Sequence, residues 1–413
     1  MGRSIFFFLF ILIYLGLEYY IYRSIGATLK SSFWSRFLLV FQTGSVLVTF
    51  LAFFLIANRA AYGVNHWTNL VFGLMITLFA TKLVFLTFPL FEDVFRALKY
   101  TVGKVSSFFQ TNSDNISIDS RRKFVTQVGL AVAAVPFLAF LYGVLKGRYD
   151  YTVRNINLSF YDLPKSFDGF RILQISDVHS GSFDNKSKVA KGLDLIQEQE
   201  ADLILFTGDM VNNRANEVEP YKDLFEKLSA PHGKYSVLGN HDYGDYLWWP
   251  SPEAKEENLN QLKQHHADMG FNLMNNANDR IEKNGESIRL VGVENWGKPP
   301  FPQKGDLKKA FEGIDNSEFS ILMSHDPSHW DAQVLDFPKQ VHLTLSGHTH
   351  GMQFGVEIPG IKWSPVKWKY PRWAGLYEKA QQYLYVNRGF GFIGFPGRVG
   401  IWPEITVIEL KKA

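Results

Sequence analysis

The sequence predicts an all-α membrane domain over residues 1–148, followed by an α/β domain over residues 149–413. Residues 1–148 carry a net charge of +9 and hold 21 of the 36 Phe, whereas residues 149–413 carry −6. The first part contains four long apolar runs. The second part alternates short β-rich runs with helical stretches, which is typical of α/β and α+β folds. The chain is therefore not one homogeneous globule.

A bilayer core takes about 20 apolar residues in helical form. The four candidate spans lie near residues 5–21, 33–57, 67–90 and 124–145. A signal peptide would account for the first run only, and four runs within 148 residues favour membrane helices over a water-soluble helical core. Glu18 and Lys82 are charges set deep in these spans, where such residues are often functional.

The distribution of Lys and Arg predicts the orientation of the spans. Nine of these residues fall in the loops after the first span and before the fourth, against four on the other side. This bias places the C-terminal domain outside the cytoplasm. The segment Ser120-Arg121-Arg122-Lys123-Phe124 is similar to a twin-arginine export signal, although it is internal. An ordinary cytoplasmic anchor is the alternative, and both interpretations place the following domain outside.

The α/β domain is predicted from its apolar runs and their turn signals. Strands are expected at 152–160, 170–175, 203–207, 235–238, 288–293, 319–323, 341–345, 383–386 and 405–408. Helices are expected at 186–199, 217–228, 252–269 and 306–311.

Five of these strands end abruptly in polar residues. The side chains that follow them are Asp177, His179, Asp209, Asn240, His325, His348 and His350. Ligands of open α/β sheets bind at the carboxyl ends of strands, so we expect these groups to share one site.

The chain has no Cys, so a metal in this site would be held by imidazole, carboxylate and amide groups. This donor set suits Mn, Fe or Zn ions. Seven ligands exceed the needs of one ion, and a carboxylate shared by two ions is the economical solution. Two ions roughly 3.5–4 Å apart can activate a bridging hydroxide and clamp a phosphoryl oxygen. We expect extended backbone to point Asp177 and His179 to the same side.

Taken together, five blocks resemble the calcineurin-like metallophosphoesterases, in that family's order. They are Asp177-Val178-His179, Gly208-Asp209, Gly239-Asn240-His241-Asp242, His325 and Gly347-His348-Thr349-His350. The resemblance implies a four-layer α/β/β/α sandwich and a dinuclear metal centre. It implies that Asp177, His179 and His350 bind the first ion, that Asn240, His325 and His348 bind the second, and that Asp209 bridges them. It also implies that His241 protonates the leaving oxygen or stabilises developing charge, and that Asp242 orients His241.

The C-terminal segments are similar to a membrane-associated bacterial branch of this family, for example Asn387-Arg388-Gly389-Phe390-Gly391. The second block departs from the phosphoprotein phosphatases, because it reads Gly208-Asp209-Met210-Val211-Asn212-Asn213-Arg214 and lacks their phosphate-gripping Arg. A phosphodiester or pyrophosphate therefore fits better than a phosphoprotein. Arg398, Trp248 and Trp363 are further candidates for substrate contact, and the basic, Trp-rich segment 362–373 is either a substrate- or membrane-facing loop or a partly buried surface.

The leading hypothesis is a membrane-anchored phosphodiesterase or pyrophosphatase, with a lipid-linked or envelope substrate. One alternative is a UDP-2,3-diacylglucosamine-type pyrophosphate hydrolase of lipid A synthesis, which needs a cytoplasmic active site. An alternative of another class is a non-catalytic membrane receptor with a structural metal site. The acidic second domain argues against general binding of nucleic acid, and no protein partner is predicted.

Overall fold

A computed structural model describes residues 2–29, 31–58, 66–106 and 118–413 of the chain. Its contacts divide the chain into two compact units. The helical unit is Met1–Ala57 with Val71–Leu141, and the second unit is Asn58–Leu70 with Tyr142–Ala413.

The N-terminal region is helical, as predicted. Its helices are α1 (Gly2–Gly26), α2 (Ser32–Ala57), α3 (His66–Ser106) and α4 (Ile118–Leu145). Three stretches are long and apolar enough to cross a membrane: Ser32–Ala57, Trp67–Val102 and Arg121–Tyr149. The predicted span 5–21 lies within α1, whose first side chains are outside the described residues. Helix α3 continues past the predicted end at residue 90, because strong helix formers such as Glu92, Arg96 and Leu98 follow.

Two six-stranded sheets form the centre of the second unit. The first has the order β1-β14-β2-β3-β4-β5 and the second β12-β13-β9-β8-β7-β6. The strands of the first sheet are β1 (Thr152–Phe160), β2 (Arg171–Ile175), β3 (Leu203–Phe206), β4 (Lys234–Ser236), β5 (Phe271–Leu273) and β14 (Glu404–Lys412). Those of the second are β6 (Ala277–Lys283), β7 (Glu286–Gly292), β8 (Ser320–Met323), β9 (Leu343–Ser346), β12 (Gly375–Lys379) and β13 (Gln382–Val386). A separate hairpin pairs β10 (Val356–Ile358) with β11 (Ile361–Trp363).

The sheets pack face to face and carry helices on their outer faces. Buried residues such as Leu205 of β3 and Ile321 of β8 belong to one core between the sheets. The outer face of the first sheet packs on α5 (Lys186–Gln197), the short α6 (Lys222–Glu226) and α7 (Pro252–Asp268). The outer face of the second sheet packs on α8 (Leu307–Ala310). The predicted four-layer α/β/β/α sandwich is confirmed.

Differences from the predicted elements have local causes. The helix expected at 217–228 is two 3-10 turns and the short α6, because Pro220 interrupts the backbone hydrogen bonding. Strands β5, β6 and β10–β12 were not predicted. Strands β2, β3 and β4 run parallel, as do β7, β8 and β9, so their carboxyl ends deliver loops to one end of each sheet.

Candidate metal centre

The loops that follow β2, β3, β4, β8 and β9 bring seven side chains together. In the first group, His179 Nε2 lies 3.0 Å from His350 Nε2, and His350 Nε2 lies 3.2 Å from Asp177 Oδ1. The ligand atoms of this group all lie within 4.8 Å of one another, and all three residues are buried. Three electron-pair donors that face one point are an arrangement that suits a cation.

A second group lies beside the first. It comprises Asp209, His325 and His348, again with ligand atoms within 4.8 Å of one another. Asn240 joins this group, because its Oδ1 lies 2.7 Å from His348 Nδ1. His325 Nδ1 bonds to the carbonyl oxygen of Thr207 at 2.7 Å, which turns Nε2 toward Asp209. A carbonyl partner on the remote ring nitrogen is the usual support of a metal-binding His.

Asp209 stands between the two groups. Its Oδ2 lies 3.5 Å from His179 Nε2 and 3.2 Å from His325 Nε2. Its Oδ1 accepts a hydrogen bond from the backbone N–H of His241 at 2.9 Å. One carboxylate oxygen is therefore fixed by the backbone, and the other faces both groups.

The backbone at these positions is unusual. Five of the seven residues have left-handed φ values: 53° at Asp177, 48° at His179, 62° at Asp209, 71° at His348 and 50° at His350. The expectation that extended backbone aims Asp177 and His179 is therefore wrong. Asp and His tolerate this region better than most residues, and such strain persists where the surroundings impose it. The loops are held in positions that aim the side chains inward.

Two glycines allow the ligand-bearing loops to approach one another, because neither has a side chain. A Cβ at Gly347 would lie 2.2 Å from Asp177 Oδ2, and a Cβ at Gly239 would lie 2.2 Å from Asp209 Oδ1. Any side chain at either position would displace a carboxylate of the site.

The charges of the cluster fit bound cations. Burial lowers the pKa of His179 and of His348, which favours the neutral imidazole that binds metals. Burial also lowers the pKa of His325, but Asp209 and Asp177 outweigh it and raise that pKa to about 10. His325 Nε2 is nevertheless buried with no hydrogen-bond partner in the described part of the chain. The nearest carboxylate oxygen to that nitrogen is Asp209 Oδ2 at 3.2 Å, so the cluster concentrates negative charge where a cation would bind.

His241 and Asp242 lie at the same site but do not contact each other as expected. His241 Nδ1 bonds to the carbonyl oxygen of Asn212 at 2.8 Å, and its ring lies edge-on to His179 at 4.9 Å. The expectation that Asp242 orients His241 is therefore not met. The turn directs the Asp242 side chain into the protein, where it is fully buried.

The Asp242 carboxylate joins two ligand-bearing loops. It accepts hydrogen bonds from four backbone N–H groups, those of Asp209, Met210, Val211 and Gly239, at 2.8–3.3 Å. Burial and the nearby Asp209 raise the pKa of Asp242 to about 7. Asp242 therefore fixes the loop after β3 against the loop after β4.

A cleft of about 430 Å³ opens beside the second group. Its lining residues are Asp209, Asn213, Asn240, His241, Tyr246, Phe301, His348, Thr349, His350, Val366, Lys369, Tyr370, Ile393 and Gly394. Lys369 is the one Lys or Arg among these described residues, and its ammonium lies 4.7 Å from the centre of the Phe301 ring. Tyr246, Phe301, Val366, Tyr370 and Ile393 add aromatic and aliphatic surface to the cleft.

Three residues predicted to contact substrate lie outside the set that lines the cleft. Trp248 is exposed, and Trp363 packs edge-on against Trp368. Arg398 is fully buried, and its guanidinium donates to the carbonyl oxygens of Gly389 and Gly391. Substrate contact by these residues stays a prediction.

Residues that the sequence did not indicate contact His348 and Asn240. Tyr370 Oη lies 2.7 Å from His348 Nε2, and Asp326 Oδ2 lies 3.5 Å from the same nitrogen. Tyr246 Oη accepts a hydrogen bond from Asn240 Nδ2 at 2.8 Å. Asp326 directly follows His325 at a strand end, which is a signal that could have identified it. Tyr370 is 22 residues from His348, and no local pattern indicates that contact.

Comparison with known proteins identifies the family of the chain. The sequence profile described as "Calcineurin-like phosphoesterase" matches residues 170–352. The profile described as "Probable Calcineurin-like phosphoesterase, transmembrane domain" matches residues 2–148. The chain belongs to the calcineurin-like metallophosphoesterases, which are hydrolases of phosphoric ester bonds with dinuclear metal sites. The matched transmembrane domain and the three apolar helices identify a membrane protein.

Individual relatives extend over different parts of the chain. Metallophosphoesterase YkuE of Bacillus subtilis is 32% identical over 255 residues, which is 60% of this chain and 82% of that protein. A protein of Danio rerio named transmembrane protein with metallophosphoesterase domain is 27% identical over 356 residues, 84% of this chain and 75% of its own length. Phosphodiesterase YaeI of Escherichia coli is 26% identical over 297 residues, 70% of this chain and 99% of its own length.

Proposed function

We propose that the chain is a dinuclear metal-dependent phosphodiesterase or pyrophosphatase anchored in a membrane. The position of Asp209 carries this proposal. A single oxygen of its carboxylate lies within 3.5 Å of a ligand nitrogen in each of the two groups. One carboxylate placed in this way can serve two ions at once, which is the arrangement of a two-metal phosphoesterase.

In this proposal the ligands divide between two sites. Asp177, His179 and His350 hold one ion, Asn240, His325 and His348 hold the other, and Asp209 contacts both. Nitrogen and oxygen donors without sulfur suit Mn, Fe or Zn ions. When bound, the ions supply Lewis acidity, which lowers the pKa of water and neutralises charge on the phosphoryl group.

His241 is the proposed proton-transfer residue. Its Nδ1 donates to the carbonyl oxygen of Asn212, which fixes the ring and leaves Nε2 to exchange a proton with the leaving oxygen. Asp242 acts as a positioning residue through the backbone of the ligand loops.

The cleft favours a substrate with little charge and an apolar part. A phosphodiester carries one negative charge fewer than an ionised monoester, and Lys369 is the cation among the described residues that line the cleft. Arg214, which ends the second block, instead stacks on Trp249 at 5.0 Å. Phe301, Val366 and Ile393 offer an apolar wall, which suits a lipid-linked phosphodiester or pyrophosphate.

Hydrolysis of model esters tests the proposed function. Full-length protein in detergent with added Mn²⁺ should hydrolyse bis(p-nitrophenyl) phosphate faster than p-nitrophenyl phosphate. A chelator should abolish turnover, and added Mn²⁺ should restore it. Folded protein without metal-dependent turnover of either ester would contradict the proposal and favour a receptor with a structural metal site.

The orientation of the domain is part of the same proposal. The excess of Lys and Arg in two loops supports several membrane crossings with the catalytic domain outside the cytoplasm. A reporter fused to the C-terminus measures this. Alkaline phosphatase activity is expected, because that enzyme is active outside the cytoplasm, whereas a signal from a cytoplasmic reporter alone would contradict the orientation.

A further inference from the structure

The β10–β11 hairpin turns its apolar face away from the domain and toward solvent. Val356 pairs with Trp363 and Ile358 pairs with Ile361, so these four alternate residues share one face. Val356, Ile358 and Ile361 are exposed, and Trp363 is partly exposed. We call these four side chains the hairpin face. A hairpin on a water-soluble domain normally turns its apolar side toward the core.

The opposite side of the hairpin is held to the domain by charges. Glu357 forms ion pairs with Arg388 at 2.6 Å and with Arg154 at 2.9 Å. Its cross-strand neighbour Lys362 donates to the carbonyl oxygen of Ala374. Arg388 in turn bonds to the buried Glu404. The ion pairs fix the hairpin with its apolar face outward, so this exposure is a property of the fold.

Six of the eight exposed large hydrophobic residues in described residues 149–413 lie in the segment 352–376, which contains this face. Met352, Trp368 and Leu376 are also exposed, and Trp368 packs edge-on against Trp363 at 6.0 Å. Elsewhere in described residues 149–413, the exposed large hydrophobic residues are the isolated Tyr161 and Trp248. An exposed apolar surface such as the hairpin face together with Trp368 marks an interaction site on a soluble domain.

We propose that the hairpin face and Trp368 dock on an anionic lipid surface. Lys367 and Lys369 flank Trp368 and are exposed, and no acidic residue lies between residues 358 and 376. Trp is enriched at the headgroup level of membranes, and exposed Lys attracts anionic lipid. The same chain carries three helices able to cross a bilayer, so a lipid surface is always within reach of this domain.

The size of the hairpin suits shallow insertion. Three residues on each strand extend about 10 Å along the face, so the docked face is small and only its side chains reach the boundary between headgroups and acyl chains. Val366 and Lys369 line the cleft beside this surface. Docking would therefore place the cleft mouth near the headgroups. The docking proposal does not depend on the identity of the substrate.

The absence of Cys from the sequence makes a site-specific test direct. Ile361→Cys and Trp368→Cys are each labelled with a fluorophore in the full chain, reconstituted in nanodiscs that contain phosphatidylglycerol and a nitroxide-labelled lipid. The matched control is Tyr161→Cys, an exposed aromatic position elsewhere on the domain. We expect the lipid nitroxide to quench both test positions at least about twofold more than the control.

Further measurements test the role of the hairpin face directly. Ile358→Asp should abolish quenching at position 368, and discs without phosphatidylglycerol should weaken it. Hydrolysis of bis(p-nitrophenyl) phosphate should stay unchanged in Ile358→Asp, which shows that the domain is folded. Quenching equal to that at position 161 would overturn the proposal. Labels shielded from aqueous iodide but not quenched by lipid would also overturn it, and would indicate a protein partner or a second copy of the chain.

Discussion

Buried charges in the helical unit and in the catalytic domain are satisfied in different ways. Lys82 Nζ lies 2.8 Å from each carboxylate oxygen of Glu18, and Gln42 and Ser45 complete the set. That cluster contains its own cation. In the catalytic domain, the close contacts join imidazole nitrogens and carboxylates, and His325 Nε2 has no hydrogen-bond partner among the described residues.

The difference distinguishes a structural charge cluster from a metal site. Buried charges are costly unless they are paired. Glu18 and Lys82 pair with each other, so their cluster needs no bound ion. The other cluster contains two carboxylates and four imidazoles, and bound cations would neutralise its negative charge. Five of its residues have left-handed backbone, and bound cations would offset this strain. Substitutions in the two clusters should therefore have different consequences.

The largest effect is expected for Asp209→Asn. Loss of the shared carboxylate should lower kcat for bis(p-nitrophenyl) phosphate by at least about 10³-fold, because one neutral amide cannot serve both ions. Elemental analysis should find fewer ions per chain than in the wild type. The matched control is Asp223→Asn, an exposed carboxylate that pairs with Lys186. Activity within a few-fold of the wild type in Asp209→Asn would refute the shared-ligand assignment.

The sequence predicted the metal site more fully than its supporting contacts. The seven clustered side chains directly follow apolar strands, so local pattern alone identifies them. Three of the four partners of Asp242 are backbone groups of a loop 31–33 residues away, and the contact of Tyr370 with His348 arises from packing. Neither carries a local signal. Strands β10 to β12 were missed because Gly, Pro, Lys and Trp interrupt any regular alternation between residues 355 and 376.

A second prediction concerns the cluster of Glu18 and Lys82. Lys82→Met leaves Glu18 buried without its cation, which should cost about 3–5 kcal/mol of unfolding free energy. The double variant Glu18→Gln with Lys82→Met should recover most of that loss, since no charge then remains. Detergent-induced unfolding followed by circular dichroism measures both values. The control is Lys99→Met, at an exposed position of α3. Equal costs for Lys82→Met and Lys99→Met would show that the ion pair is not structural.

A third prediction separates proton transfer from metal binding. His241→Gln should lower kcat by about 10²-fold while the metal content stays at the wild-type value, because His241 is not among the proposed ligands. His232→Gln serves as the control, at a partly exposed ring that packs on Phe170. A loss of metal in His241→Gln would instead identify His241 as a ligand.

The smallest effect is expected for Asp326→Asn, which removes a charge near a proposed ligand without removing a ligand. Asp326 Oδ2 is buried, has no hydrogen-bond partner in the described residues and lies 3.5 Å from His348 Nε2. A carboxylate at that position raises the basicity of a metal-binding imidazole, so its loss should weaken the affinity for one ion by about 10–100-fold. Titration of apo-protein activity with Mn²⁺ measures this shift, and kcat at saturating Mn²⁺ should change little. Asp331→Asn is the control, because Asp331 pairs with Arg372 on the surface. An unchanged Mn²⁺ dependence in Asp326→Asn would mean that Tyr370 alone, at 2.7 Å, positions His348.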